Sequence, residues 1–261
     1  MSKLRGLPFA HILDTLSIVS LVLLLTFAAL PLYRAQMPGE DTQPATVDSE
    51  ELQAGYIVVL DAGHGGVDGG AVGSKTGVVE AGLNLTIVKL VQAGLEARGV
   101  GVLLTRTDDD ALARGKKADM QARKKVMNQP GVDIVVSIHM NKFRDSAVKG
   151  PMAFYMKGSE EGRRLAELVI AAVCEAVESP VRKANPADYF MIRESPLPSV
   201  LVECGFLSNA ADEALLQEPQ YQRALADGVV TGVMGYLESL PALQEGQTDP
   251  SPSPGPTATP K

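Results

Sequence analysis

Three histidines occur in the whole chain, and two of them stand where chemistry is done. His64 lies in Asp61-Ala62-Gly63-His64-Gly65-Gly66 and His139 in Ser137-Ile138-His139-Met140-Asn141, each at the carboxyl end of an expected buried strand. One histidine at a strand end is ordinarily a satisfied polar residue. Two at the same end of one sheet would be brought together by the fold. A catalytic zinc commonly takes three protein ligands and leaves one position open, with two His plus one Glu a frequent set. Glu80, which follows the glycine-bounded stretch Gly73–Gly77 and opens a helical pattern, fits the third place. The competing reading of Glu80 is a helix-start carboxylate that only complements the helix dipole. Hydrolysis at such a site also needs an acid–base group that is not a ligand. Glu203 ends the apolar run Ser199-Val200-Leu201-Val202-Glu203, where a carboxylate is costly to bury unless it is used or paired. A structural ion pair is the alternative there.

These residues need elements to hold them. Tyr56–Leu60, Val100–Leu104, Asp133–His139, Met152–Met156 and Ser199–Glu203 read as strands, Asp133–His139 and Ser199–Glu203 as buried ones. Between them run helical patterns. The first carries Leu83, Ile87, Leu90, Val91 and Gly94 on one stripe and stops at Gly99. A second covers Asp119–Asn128. A third is capped by Ser159, has Glu160 and Glu161 in its first turn, and buries Leu165, Leu168, Val169, Ala172, Val173 and Ala176. The last starts near Pro219 and turns Tyr221, Leu225, Gly228, Val229, Gly232 and Tyr236 inward. Alternation of this kind predicts a single α/β domain with a mostly parallel central sheet covered by helices on both faces. Reactive groups then collect beyond the carboxyl ends of the strands.

The flanks read differently. Thr15–Tyr33 is uncharged and apolar, with Lys3 and Arg5 before it, long enough to span a bilayer as a transmembrane helix. No clean small-residue cleavage site follows, so an uncleaved anchor is expected rather than a signal peptide. Residues 1–34 are thus a cytoplasmic stub and anchor, 35–55 a polar spacer, 56–240 the catalytic domain, and 241–261 a disordered Pro/Ser/Thr-rich tail. The catalytic domain would lie on the extracytoplasmic side of the cell membrane. A net charge of −7 and the absence of Trp argue against nucleic acid as a partner. Cys174 and Cys204 form no CxxC and are read as two unpaired thiols, with Cys174 off the apolar stripe of its helix.

Read in order, LDAGHGGVDGGAVG…VVEAGLNL, LLTRTDDD, MQARKKVMN, DIVVSIHMN and PSVLVECGFLSN resemble the zinc-dependent N-acetylmuramoyl-L-alanine amidases of the AmiC/CwlD type, over nearly all of Tyr56–Leu240. The resemblance implies zinc held by His64, Glu80 and His139, and Glu203 as the catalytic glutamate. It implies peptidoglycan as substrate, cut between the lactyl group of N-acetylmuramic acid and L-alanine. Arg106 and Arg123 match recurrent positions of the family and are read as structural. Ala62 and Ala81 stand where the family usually has Pro and Lys; neither position supplies a ligand. One short anchor before a bare catalytic domain resembles the sporulation and germination subtype, which works on spore cortex. There is no room for a long inhibitory helix, so control would come from localisation or a partner protein. Two other readings remain open at this point. One is a zinc carboxypeptidase on the stem peptide, for which Arg193 would have to clamp the terminal carboxylate. The other is an inactive amidase-like module that only binds peptidoglycan.

Overall fold

In the computed structural model, which describes residues 55–241, a six-stranded sheet has the order β2-β1-β3-β6-β4-β5. The strands are β1 (Ile57–Ala62), β2 (Gly101–Leu104), β3 (Ile134–Asn141), β4 (Met152–Met156), β5 (Asn185–Ala187) and β6 (Ser199–Phe206). Strands β2, β1, β3 and β6 run parallel, whereas β4 pairs antiparallel with β6 and β5 parallel with β4. The sheet is therefore mostly parallel, as the alternation of elements predicts. The reversal at β4 follows from its short connection to β3, which contains no crossover helix.

The helices are α1 (Glu80–Glu96), α2 (Lys116–Met127), α3 (Glu160–Ala176), α4 (Phe190–Arg193), α5 (Ala210–Leu215) and α6 (Pro219–Glu238). Strand β5 and the short helices α4 and α5 have too few residues to show a periodicity in sequence. Among the described residues no helix is long and apolar enough to cross a membrane. The expected anchor at Thr15–Tyr33 lies outside the described residues, as do the spacer and tail except for Gly55 and Pro241.

The two faces of the sheet are covered unequally, and this decides where the site can be. Even-numbered residues of the central strands (Val58, Leu60, Ala62, Ile134, Val136, Ile138, Val200, Val202) face the main core, built with α1, α3 and α6. Odd-numbered residues face the other way, where Val59 and Val135 meet Met127 of α2 and Met191 of α4 in a smaller cluster. Among the described residues these two helices cover that face near β1 and β3, and a cavity remains above it.

The thick side is closed by glycines that admit a neighbouring backbone. A Cβ on Gly232 of α6 would fall 2.4 Å from Val169 Cα of α3, and one on Gly228 would fall 2.6 Å from Val173 Cα. Helix α3 begins as expected, with Ser159 Oγ accepting from Gly162 N. Its buried face is wider than the predicted stripe, however. Ala166, Ile170 and Cys174 are buried and Ala176 is exposed. Being wedged between the sheet and α6, the helix buries two sides rather than one. Cys174 is thus a core residue, and both thiols are free and buried.

Candidate metal centre and catalytic site

The cluster lies where the strand order reverses, between β1 and β3, the position at which open α/β sheets leave a crevice. Beyond β1, Gly63 N still donates to Ile138 O (3.1 Å), so Gly63 sits beside His139. His139 in turn is the register partner of Glu203 across β3 and β6. Gly63, His139 and Glu203 therefore form a row over three adjacent strands, on the thinly covered face. Gly63 has a steric reason to be glycine: a Cβ there would fall 2.2 Å from His139 Cε1.

His64 takes a left-handed backbone (φ 63°), followed by Gly65 and Gly66, also at positive φ. Such a conformation is unfavourable for a side chain larger than glycine and needs support from around it. Two arginines provide it. Arg123 donates to His64 O (2.5 Å) and Ala62 O (2.8 Å), and Arg106 donates to Ala62 O, Gly63 O and Ala81 O. Both arginines are buried and serve structure, as the sequence implies. Below them Asp61 accepts from Arg123 (2.6 Å), Thr105 (2.8 Å) and Ser137 (2.6 Å). Burial pushes the Asp61 carboxyl up, but Arg123 chiefly outweighs that and holds it below the usual range.

Glu80 opens α1 as its first helical residue and is buried. Its Oε2 accepts from Ala71 N (2.6 Å) and its Oε1 from Met140 N (3.1 Å) and Asn84 Nδ2 (3.3 Å). The same Oε1 lies 2.9 Å from His139 Nδ1 and 3.3 Å from His64 Nε2. Against the upward push of burial, these bonds hold the carboxyl well below the ordinary range. The carboxylate therefore turns its charge toward the two imidazoles. A helix-dipole role does not account for that aim. The rings of His64 and His139 meet edge to face with centroids 5.0 Å apart. One ligand atom from each of His64, Glu80 and His139 lies within 4.8 Å of the others.

The donor set fits a divalent ion of zinc type: two imidazoles and one ionised carboxylate, with outer partners in place. Asp68 Oδ1 is 3.0 Å from His64 Nδ1, so His64 can present Nε2 inward while Asp68 fixes its tautomer. Glu203 is not one of the cluster. It is buried, has no ion-pair partner among the described residues, and its Oε2 has no hydrogen-bond partner. Burial pushes its pKa up to about 7, with Glu80 adding to the rise and the histidines opposing it. A structural ion pair is therefore not what retains it.

A cavity of about 390 Å³ opens over this row, walled by Tyr189, Phe190 and Met191 on one side and carrying Lys116 and Lys142 at its lining. Sequence reasoning does not single out Asp68, Asn84 or the α4 wall. Asn84, four residues after Glu80 on the same helix face, could have been found by its spacing. Arg193 is not in the cavity lining. Its guanidinium is held by Asp188 (2.9 Å) and Glu194 (3.0 Å) and stacks over Phe190. The carboxylate clamp that a carboxypeptidase would need is thus committed elsewhere.

Fold and site together define an α/β domain with a two-histidine, one-glutamate centre and a buried, unpaired glutamate beside it. A match to the N-acetylmuramoyl-L-alanine amidase family spans residues 58–234, and the chain belongs to that family. It is 32 % identical over 193 residues to the germination-specific N-acetylmuramoyl-L-alanine amidase of Bacillus subtilis, covering 70 % of this chain and 81 % of that one. The CwlD amidase of Clostridioides difficile, solved in complex with the GerS lipoprotein, superposes with a TM-score of 0.67 at 31 % identity, covering 70 % of this chain and 98 % of that one. The catalytic domain of CwlV from Bacillus (Paenibacillus) polymyxa gives a TM-score of 0.64 at 33 % identity, with 70 % and 98 % covered.

Proposed function

We propose that this chain is a zinc-dependent N-acetylmuramoyl-L-alanine amidase. It hydrolyses the amide between the lactyl group of N-acetylmuramic acid and L-alanine in peptidoglycan, in the service of spore cortex maturation. One observation carries the reading: His64, Glu80 and His139 offer ligand atoms within 4.8 Å of one another, beside a glutamate that nothing else claims. Zinc held by these three residues would supply an acidified water and polarise the scissile carbonyl.

The chain's own groups do the rest. Glu203, with its pKa pushed up to about 7, is matched to proton exchange near neutrality. It takes the proton from the attacking water and returns it to the L-alanine nitrogen as the C–N bond breaks. Asp68 and Asn84 hold the His64 and Glu80 side chains in register while this happens. The α4 wall of Tyr189, Phe190 and Met191 shields the row from bulk water on one side.

The apolar segment Thr15–Tyr33 supports a single-pass anchor, with residues 56–240 outside the cytoplasmic membrane. A lipoprotein bound to the C. difficile relative supports a protein partner at the membrane surface for this chain also. The test is a digest of purified peptidoglycan, with and without added zinc, read by mass spectrometry. New free L-alanine amino termini are expected from the wild type, and their loss from Glu203→Gln with zinc content retained. Release of terminal D-alanine instead would assign the chain to carboxypeptidases. Protease accessibility of the domain in intact spheroplasts tests its sidedness.

A further inference from the structure

Glu213, on the short helix α5, is fully buried yet belongs to neither the core nor the metal cluster. Its carboxylate reaches 137–139 residues back along the chain to a single loop. It accepts from Lys75 N (2.9 and 3.0 Å), Thr76 N (2.6 Å), Thr76 Oγ1 (2.8 Å) and Ser74 Oγ (3.2 Å). Gly73 lets it approach: a Cβ there would fall 2.4 Å from Glu213 Oε1. These bonds outweigh burial and hold the carboxyl down at about 2, so it stays ionised.

The gripped loop leads directly into Glu80. Val72 bridges Val79, Gly73 N donates to Val78 O (2.8 Å), and Glu80 N donates to Ala71 O (2.9 Å). Ala71 N then donates to the Glu80 carboxylate itself. Through the residue beside Glu213, α5 is also tied to the strand that carries Glu203. Asp212 accepts from Phe206 N (2.9 Å), and Ser74 N donates to Leu207 O (3.1 Å). Glu213 is thus the joint between the segment carrying a metal ligand and the segment carrying the acid–base glutamate.

We infer that Glu213 is a positioning residue for the metal centre: by holding the Ser74–Thr76 loop against α5, it sets Glu80 relative to His139 and Glu203. The inference rests on the zinc reading above. Removing a direct outer-sphere partner of a ligand typically weakens a metal site about 10–100-fold, and Glu213 acts one step further out, through the loop that ends on Ala71 and Glu80. The full-length chain should be titrated with Zn²⁺ against a chromophoric chelator as wild type, Glu213→Gln, Glu80→Gln and Val233→Ala. The last is a buried α6 residue away from the site and controls for destabilisation.

Glu213→Gln should bind zinc about tenfold more weakly, at the low end of that range, and lower kcat, with KM little changed. Its Lys75 and Thr76 amides should exchange faster in the metal-free protein. Val233→Ala should melt earlier yet keep wild-type zinc affinity. If Glu213→Gln does not fold, Thr76→Ala removes one bond to the same carboxylate and should weaken zinc about threefold. Wild-type zinc affinity in the folded Glu213→Gln protein, or in its Thr76→Ala substitute, overturns the inference while Glu80→Gln still loses the metal. Wild-type affinity in Glu80→Gln as well overturns the zinc reading and the inference together.

Discussion

Adding a single methyl at Gly63 should dismantle the metal centre without touching a ligand. The new Cβ would lie 2.2, 2.3 and 2.6 Å from His139 Cε1, Nε2 and Nδ1, whereas ordinary contact begins at 3.4 Å. The ring must then retreat by about 1.2 Å, while metal–ligand distances tolerate only about 0.2 Å. Gly63 is not in the left-handed region, so the effect is steric rather than a backbone strain. Overpacking of this kind costs about 1–3 kcal/mol of stability. A catalytic group misplaced by about 1 Å costs about 100-fold in rate. Zinc affinity should fall by about 10–100-fold. Chelator competition gives the affinity, thermal melting the stability, and muropeptide hydrolysis the turnover. Gly82→Ala serves as the control, since Gly82 lies on the exposed side of α1 with nothing within 4 Å of its Cβ position. It should be neutral or gain about 0.5–1 kcal/mol. A Gly63→Ala protein with wild-type zinc affinity and turnover would refute the geometry from which the site is built.

Other consequences can be checked alongside. Asp61→Asn breaks a buried pair with Arg123 and should cost about 3–5 kcal/mol in urea denaturation at neutral pH. Because the folded Asp61 carboxyl is depressed, its contribution is complete above the unfolded value and is lost as pH falls through the folded one. The acid limb of the stability curve should therefore flatten in Asp61→Asn. Glu203 has the opposite sign. With a folded pKa of about 7 against an ordinary 4.5, it binds its proton more tightly when folded. In the metal-free protein, stability should fall as pH rises through that window, by on the order of 3 kcal/mol relative to Glu203→Gln. Equal slopes in the two proteins would show that Glu203 is not desolvated. Arg193→Ala should leave amide hydrolysis intact and change stability by less than about 1 kcal/mol, its ion pairs being exposed. Loss of substrate binding in that variant would restore Arg193 as a candidate clamp.

What the sequence determines by itself is considerable, and the reason is local. His64 and His139 follow apolar runs that read as strands, Glu80 follows glycines and starts a helix, and Glu203 closes a run too apolar to hold an idle carboxylate. Those positions read out through short-range patterns, and so do the Ser159 cap and the start of α6 at Pro219. The tertiary structure decided matters that no short window contains. The central strands are apolar on both faces, so alternation cannot say which face keeps the thin cover of α2 and α4, and hence the cavity. The pairing of β4 with β6 and the burial of Cys174 likewise depend on neighbours distant in sequence or on the sides a helix finds covered. Glu213 is the sharpest case. In the sequence it is one more acidic residue beside Asp212, and only folding brings it to a loop 137–139 residues earlier. A carboxylate's role follows from the donors that surround it, and those are chosen by the path of the whole chain.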